Sequence, residues 1–159
     1  MFIIRGMKVI RDTLQAIAQE LGLIYLRALN ITDLNQLLQS TAITSPLLVL
    51  TNVPEGTQPP VTSNFNFAFY RTTILVLDKN ATPDPKPEEI DNLLDSLLVQ
   101  VGYIQDLLDK SNIITPSEVV EFISLNSTDS IELTDEVISG WELVINIPIN
   151  RSLYYCEQI

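Results

Sequence analysis

The amino-acid sequence predicts an α+β domain in which two amphipathic helices pack on a mixed or antiparallel β-sheet and a long β-hairpin projects. Three observations favour this class. Residues 1–21 and 88–110 carry apolar residues at alternating three- and four-residue spacing, which is typical of one buried helix face. Other segments alternate with a period of two or are continuously apolar, as strands are. The length of 159 residues and the hydrophobic fraction of 46% fit one domain with a sizeable core.

The first part of the chain begins with the predicted helix over residues 1–21, which Gly22 ends as a C-cap. A short strand over residues 23–28 and a polar helical turn that opens at Thr32 come next. Residues 46–52 form an apolar run that is typical of a strand buried on both faces. The apolar stripe of the first helix consists of Ile3, Met7, Ile10, Leu14, Ile17 and Leu21.

The predicted hairpin rests on a loop rich in proline and glycine, residues 53–60, and on a long alternating run over residues 62–78. At about 3.3 Å per residue, a strand of about 15 residues within this run spans roughly 50 Å, more than a domain of this size covers. Its first half is therefore expected to project as one arm of a hairpin with strand 46–52. The alternation changes phase near Arg71, so either a bulge lies there or the two halves contact different neighbours. One face carries Phe65, Phe67 and Phe69, and the other Tyr70, Thr72, Ile74 and Val76.

The second part of the chain begins with a helix. Pro87 and the two glutamates after it form a strong helix start, because proline suits the first turn and carboxylates suit the positive end of the helix dipole. Apolar residues make a broad face over residues 88–110, in which Gly102 predicts a close packing contact. An acidic crossing over residues 127–139 joins two further predicted strands, at residues 119–125 and 141–147.

The side chains that usually perform catalysis are scarce in this chain. It contains no histidine, and its one cysteine is Cys156. Triads built on histidine and zinc sites therefore have too few of their usual members. Residues 78–89 carry oxygen-bearing side chains at the spacing of a calcium loop, but Pro83 stands where that loop needs glycine, so we interpret them as a solvated linker. We expect no enzymatic activity, no cofactor and no metal.

The formal net charge is −11, from 20 acidic and 9 basic residues. This charge disfavours a broad contact with nucleic acid or with anionic lipid. Arg5, Lys8 and Arg11 recur at three-residue spacing and would form one stripe on a helix, either a solvated face or a contact to an acidic partner subunit. No apolar run reaches the roughly 18–20 residues that cross a bilayer, and the first residues lack the features of a secretory signal. We therefore expect no membrane partner and a protein that stays in the cytoplasm where it is made.

Two groups of aromatic residues complete the interface candidates. Phe65, Phe67 and Phe69 are interpreted as a core or subunit contact, because only Arg71 accompanies them and a nucleic-acid stacking platform needs more positive charge. Trp141 opens the last predicted strand and is interpreted as a core or interface anchor.

The order of the predicted elements also carries a family resemblance. Residues 134–141 read Thr-Asp-Glu-Val-Ile-Ser-Gly-Trp, an acidic loop with a glycine–aromatic step, and a strand through Pro148 follows. Together with the N-terminal helix, the hairpin loop and the helix over residues 88–109, this order resembles the tail terminator and head–tail neck ring proteins of tailed bacteriophages. The resemblance covers nearly the whole chain. The isoleucine- and asparagine-rich composition suits an AT-rich phage genome, such as that of a crAss-like phage.

The resemblance implies one tail-terminator-like domain over residues 1–159, with a C-terminal extension over residues 150–159. It implies a structural virion protein that assembles in the host cytoplasm into a homo-oligomeric ring, six- or twelve-fold, at the neck. Its partners would be further copies of itself and portal, neck or tail proteins, while DNA passes through the lumen without specific binding.

The alternative function is a cytoplasmic acidic adaptor or chaperone-like binding module. Its composition would be the same, and the mass of the oligomer would distinguish the two.

Overall fold

A computed structural model describes residues 2–4, 6–29, 31–51, 55–57, 67–82, 84–111, 118–126, 138–150 and 155–158. Within these residues the chain forms three α-helices and eight β-strands. In chain order they are β1 (Phe2–Ile4), α1 (Gly6–Leu21), β2 (Ile24–Arg27), α2 (Ile31–Ser40), β3 (Leu47–Leu50), β4 (Glu55–Thr57), β5 (Phe67–Lys79), α3 (Pro87–Lys110), β6 (Glu118–Asn126), β7 (Ile138–Asn150) and β8 (Tyr155–Gln158).

Six of the strands form one mixed sheet. Its order is β2-β3-β5-β7-β6, and β4 pairs with β5 beyond the end of β3. β2 and β3 are parallel, and the other neighbours are antiparallel. β5 and β7 make the longest pairing, with thirteen residues in each strand and an unbroken register. The predicted α+β class is confirmed.

The helices cover both faces of the sheet. α1 and α3 pack on one face, where Leu48 and Leu50 of β3 point into a core with Leu14 and Ile104. α2 packs on the other face, where Leu47 and Val49 meet Leu34 and Leu38. All four residues of β3 have no exposed surface, which confirms the prediction of a strand buried on both faces. The sheet is thus the middle one of three layers, and α2 forms the layer that the prediction of two helices missed.

The ends of α1 and α3 follow their local sequence signals. Gly22 has a φ of +71°, in the left-handed region that glycine adopts without strain, and it ends α1 as predicted. Pro87 occupies the first turn of α3 with Glu88 and Glu89. At its other end the Ser111 hydroxyl donates a hydrogen bond of 2.6 Å to the Leu108 carbonyl oxygen.

The predicted start of the first helix is wrong by several residues. Phe2–Ile4 form strand β1, and α1 begins at Gly6. β1 pairs antiparallel with β8, which lies in the predicted C-terminal extension. Ile3 fits the spacing of the helical stripe, but Phe2, Ile3 and Ile4 are also good strand formers, and pairing with a distant segment decides between the two. The extension therefore contacts the start of the chain.

The strands that would form the base of the predicted hairpin pair along β5. β3 and β4 lie one after the other along the same edge of β5. The expected bulge near Arg71 is wrong, because the register of β5 with β7 runs without a shift through that residue. The second half of β5 is buried on both faces instead, with Ile74 in one core and Leu75 in the other. Residues 58–66 lie outside the described residues, so the projection of the hairpin stays a prediction.

Two glycines differ in a way that the sequence does not reveal. Gly102 is exposed, and a Cβ built on it would meet nothing within 4 Å, so the predicted packing contact within the chain is wrong. Gly140 lies opposite Leu77 in the β5–β7 ladder. A Cβ there would strike the Val76 carbonyl oxygen and would lie 2.7 Å from Leu77 Cδ2. Gly140 is therefore the position where close approach requires glycine.

Candidate assembly surfaces

The basic residues predicted on the first helix lie at the start of α1. Lys8 is exposed, and its Nζ lies 2.8 Å from Asp12 Oδ2 one turn later. Arg11 is exposed as well. Arg5 lies outside the described residues, before the first residue of α1. The predicted stripe of three therefore has two members on α1.

Further positive charge lies beside α1 on strand β2. Arg27 Nη1 donates hydrogen bonds to the carbonyl oxygens of Ala28, at 2.9 Å, and Leu50, at 3.4 Å. Burial raises the pKa of the Tyr25 hydroxyl, and the positive charges of Arg27 and Arg11 act in the opposite direction. Tyr25 packs against the core under α1, and the alternation of side chains along a strand puts Arg27 on the same face, so Arg27 and Arg11 lie on the same side of the fold. We call Lys8, Arg11 and Arg27 the basic flank.

The solvent side of α3 combines apolar and acidic residues. Leu98, Val99 and Tyr103 are exposed by 41%, 55% and 52%. The buried residues of the helix are Leu97, Val101, Ile104 and Leu108. Five exposed positions form one stripe along the helix: Asp91, Asp95, Leu98, Gly102 and Asp109. They are spaced by three or four residues, except for a step of seven residues, two turns, between Gly102 and Asp109. We call this stripe the acidic flank.

Sequence reasoning missed the exposed part of α3 because it assigned nearly all apolar residues of the helix to one buried face. A helix that covers a sheet buries a stripe about 100° wide or somewhat wider. The apolar residues of α3 extend well beyond that width, and this excess is the signal that could have located the surface.

Trp141 belongs to the core. Its ring packs against the cluster between the sheet and α3, and its Nε1 donates a hydrogen bond of 2.9 Å to the Leu94 carbonyl oxygen of α3. It thus anchors β7 to α3 while part of its surface stays exposed, and its role at an interface stays a prediction. Phe67 and Phe69 pair with Asn150 and Pro148 of β7. Phe65 lies outside the described residues, so the subunit contact of the three phenylalanines stays a prediction.

A cleft of about 620 Å³ lies where the loop before β3 meets the end of β5 and the start of α3. Burial raises the pKa of the Asp78 carboxyl, while the Lys79 backbone N–H, which donates to it at 2.8 Å, opposes the shift. Thr82 Oγ1 lies 3.3 Å from Glu89 Oε2, within the stretch interpreted as a linker. Among the described residues no group of three or more histidine, cysteine or acidic side chains could hold a metal ion. The cleft is thus lined by two carboxylates, those of Asp78 and Glu89.

The sequence matches no protein-family model, and no curated protein is significantly similar to it. Within the described residues, no helix combines the length and the apolar character that a membrane span requires. The function is therefore inferred from the surfaces described above.

Proposed function

We propose that this chain is the subunit of a homo-oligomeric ring in the virion of a tailed bacteriophage, at the head–tail junction between portal and tail. Its role there is structural and not enzymatic. The exposed apolar residues of α3 are the observation that carries the proposal. A helix on the surface of a monomer normally presents polar residues to solvent, whereas an apolar patch with a polar rim marks an interaction site.

The shape of the sheet supports an assembly with projecting elements. At about 3.3 Å per residue, the thirteen-residue β5–β7 ribbon spans about 43 Å, which is close to the roughly 40 Å diameter of a domain of this length. The C-terminal part of β5, from Ile74 to Leu77, is buried. The other end leads into the predicted hairpin, which would reach a neighbouring subunit or a neck protein.

The acidic charge supports the passage of DNA through the ring. Each subunit carries a net charge of −11, so the summed field of a ring repels the phosphate backbone. Duplex DNA would then pass through the lumen without binding to it. The portal and the tail, or other neck proteins, would contact the two ends of the ring.

The oligomeric state of the purified protein tests the proposal. Native mass spectrometry and size-exclusion chromatography with light scattering are expected to give a closed multiple of the 17.8 kDa subunit, six- or twelve-fold. Negative-stain electron microscopy should show rings with a central opening. A protein that stays monomeric at the highest soluble concentration would contradict the proposal and favour the adaptor.

A further inference from the structure

We infer, on the basis of the proposed ring, that its subunits join head to tail through the helical layer. The basic flank of one copy contacts the acidic flank of the next copy. The occupant of the acidic flank of α3 is thus a second copy of this chain.

The groove between α1 and α3 shows that the two flanks point away from each other. Thr13, Ala16 and Glu20 of α1 line this groove opposite Leu107 of α3. Successive residues of an α-helix are about 100° apart, so Arg11 projects from the far side of α1.

The same geometry places the acidic flank on the outer side of α3. Leu107 and Lys110 of α3 line the groove towards α1. Asp91 and Leu98 project from the side of α3 that lies away from these two residues. The helical layer therefore has a basic end and an acidic end.

The edges of the described sheet lie under the same two ends. α1 packs on β2 and β3, whereas α3 packs on β5 and β7. β2 and β6 are the outer strands of the described sheet. When the two flanks meet, β2 of one copy comes close to β6 of the next, and outer strands carry backbone groups that can pair with a further strand.

Charge decides between this arrangement and a two-fold contact. A contact of the acidic flank with itself would place Asp91 and Asp95 against their own copies, which like-charge repulsion opposes. A contact with Lys8 and Arg11 pairs opposite charges. Exposed ion pairs add little affinity, but they set the orientation of the partners. In the proposed contact, Leu98 supplies apolar surface and Gly102 leaves room for close approach. A head-to-tail contact closes into a ring when its rotation allows.

Two variants, each with one altered flank, test the inference. Lys8→Glu with Arg11→Glu alters the basic flank, and Asp95→Lys with Leu98→Lys alters the acidic flank. Each is expected to lose the oligomer and to remain a folded monomer by circular dichroism and Trp141 fluorescence. Lys86→Glu and Asp84→Lys change the same kinds of charge at exposed positions outside both flanks and should keep the oligomer.

Mixing the two altered proteins provides the decisive measurement. One basic flank and one acidic flank then remain intact, and the two altered flanks carry opposite charges, so light scattering should show an assembly of a dimer or larger. If both altered proteins form the wild-type oligomer, the flanks are not the contact, although the ring stands. A mixture that stays monomeric also overturns the head-to-tail contact. A wild-type protein that is itself monomeric overturns the ring and the inference together. Arg11→Glu and Leu98→Ser alone serve the same test if a double variant does not fold.

Discussion

Replacing Gly140 by alanine should destabilise the domain strongly. The added Cβ would strike the Val76 carbonyl oxygen and lie 2.7 Å from Leu77 Cδ2 and 2.9 Å from Leu77 Cα. Two of these three atoms belong to the backbone, so no side-chain rotation can relieve the contact. β5 cannot move aside easily, because it pairs with β3 and β4 on one edge and with β7 on the other.

The size of the effect follows from the cost of overpacking. Extra atoms in a packed core usually cost about 1–3 kcal/mol, and a contact with backbone belongs at the upper end of that range. A loss of about 3 kcal/mol is a large part of the roughly 5–15 kcal/mol that stabilises a domain. For a chain of this length it corresponds to a melting temperature lower by about 6–12 °C.

Gly102→Ala is the matched control, because the same methyl group there enters open space on α3. Alanine is favoured over glycine in a helix by about 0.5–1 kcal/mol, so the melting temperature of the monomer should rise by about 1–4 °C. Thermal unfolding followed by circular dichroism measures both changes. A decrease of less than about 2 °C in Gly140→Ala would refute the Leu77–Gly140 pairing and the close approach of β5 and β7 at this point.

Three further substitutions test single contacts. Trp141→Phe removes the hydrogen bond to the Leu94 carbonyl oxygen and should cost about 1 kcal/mol in urea unfolding, whereas Trp141→Ala should cost about 3 kcal/mol. A Trp141→Phe protein as stable as the wild type would contradict the hydrogen bond. Burial raises the pKa of the Asp78 carboxyl above its usual value near 3.8, so the contribution of this carboxyl to stability is greatest below pH 3.8 and is lost as the pH rises through the pKa of the folded state. Asp78→Asn should therefore weaken the loss of stability with rising pH. Parallel curves of stability against pH for the two proteins would contradict this. The buried Thr72 hydroxyl has no hydrogen-bond partner among the described residues, so Thr72→Val should stabilise the domain by about 1 kcal/mol. Thr51→Val loses a 3.0 Å hydrogen bond to the Thr73 carbonyl oxygen and should destabilise the domain. A change of stability with the same sign in both variants would contradict these hydrogen-bond assignments.

Local sequence patterns correctly predicted the features that a short segment determines by its own residues. Four consecutive apolar residues at Leu47–Leu50 indicate a strand covered on both faces, and the structure covers them on both faces. Pro87 and Gly22 mark helix ends by their backbone preferences alone, and both predictions are confirmed.

The features that sequence reasoning missed depend on contacts between distant segments. Ile3 fits a helical stripe, yet it pairs with Glu157 in a two-stranded sheet. The apolar stripe of α2 is too short to predict by itself that this helix covers a face of the sheet. Leu34 and Leu38 are buried because they pack against the second face of β3. Gly102 and Gly140 look alike in the sequence, and only the neighbouring strand shows which of them is needed.

On the candidate surfaces, the net charge and the distribution of charge lead to different expectations about association. A net charge of −11 predicts that two copies repel each other. In about 0.1 M salt, however, this repulsion is screened beyond roughly 10 Å, whereas charges in contact are screened much less. The distribution of charge over the surface therefore has more influence on association than its total. Because Arg11 and Asp91 lie at opposite ends of the helical layer, the acidic residues would oppose most contacts between copies, whereas the proposed contact of the basic flank with the acidic flank would be favoured.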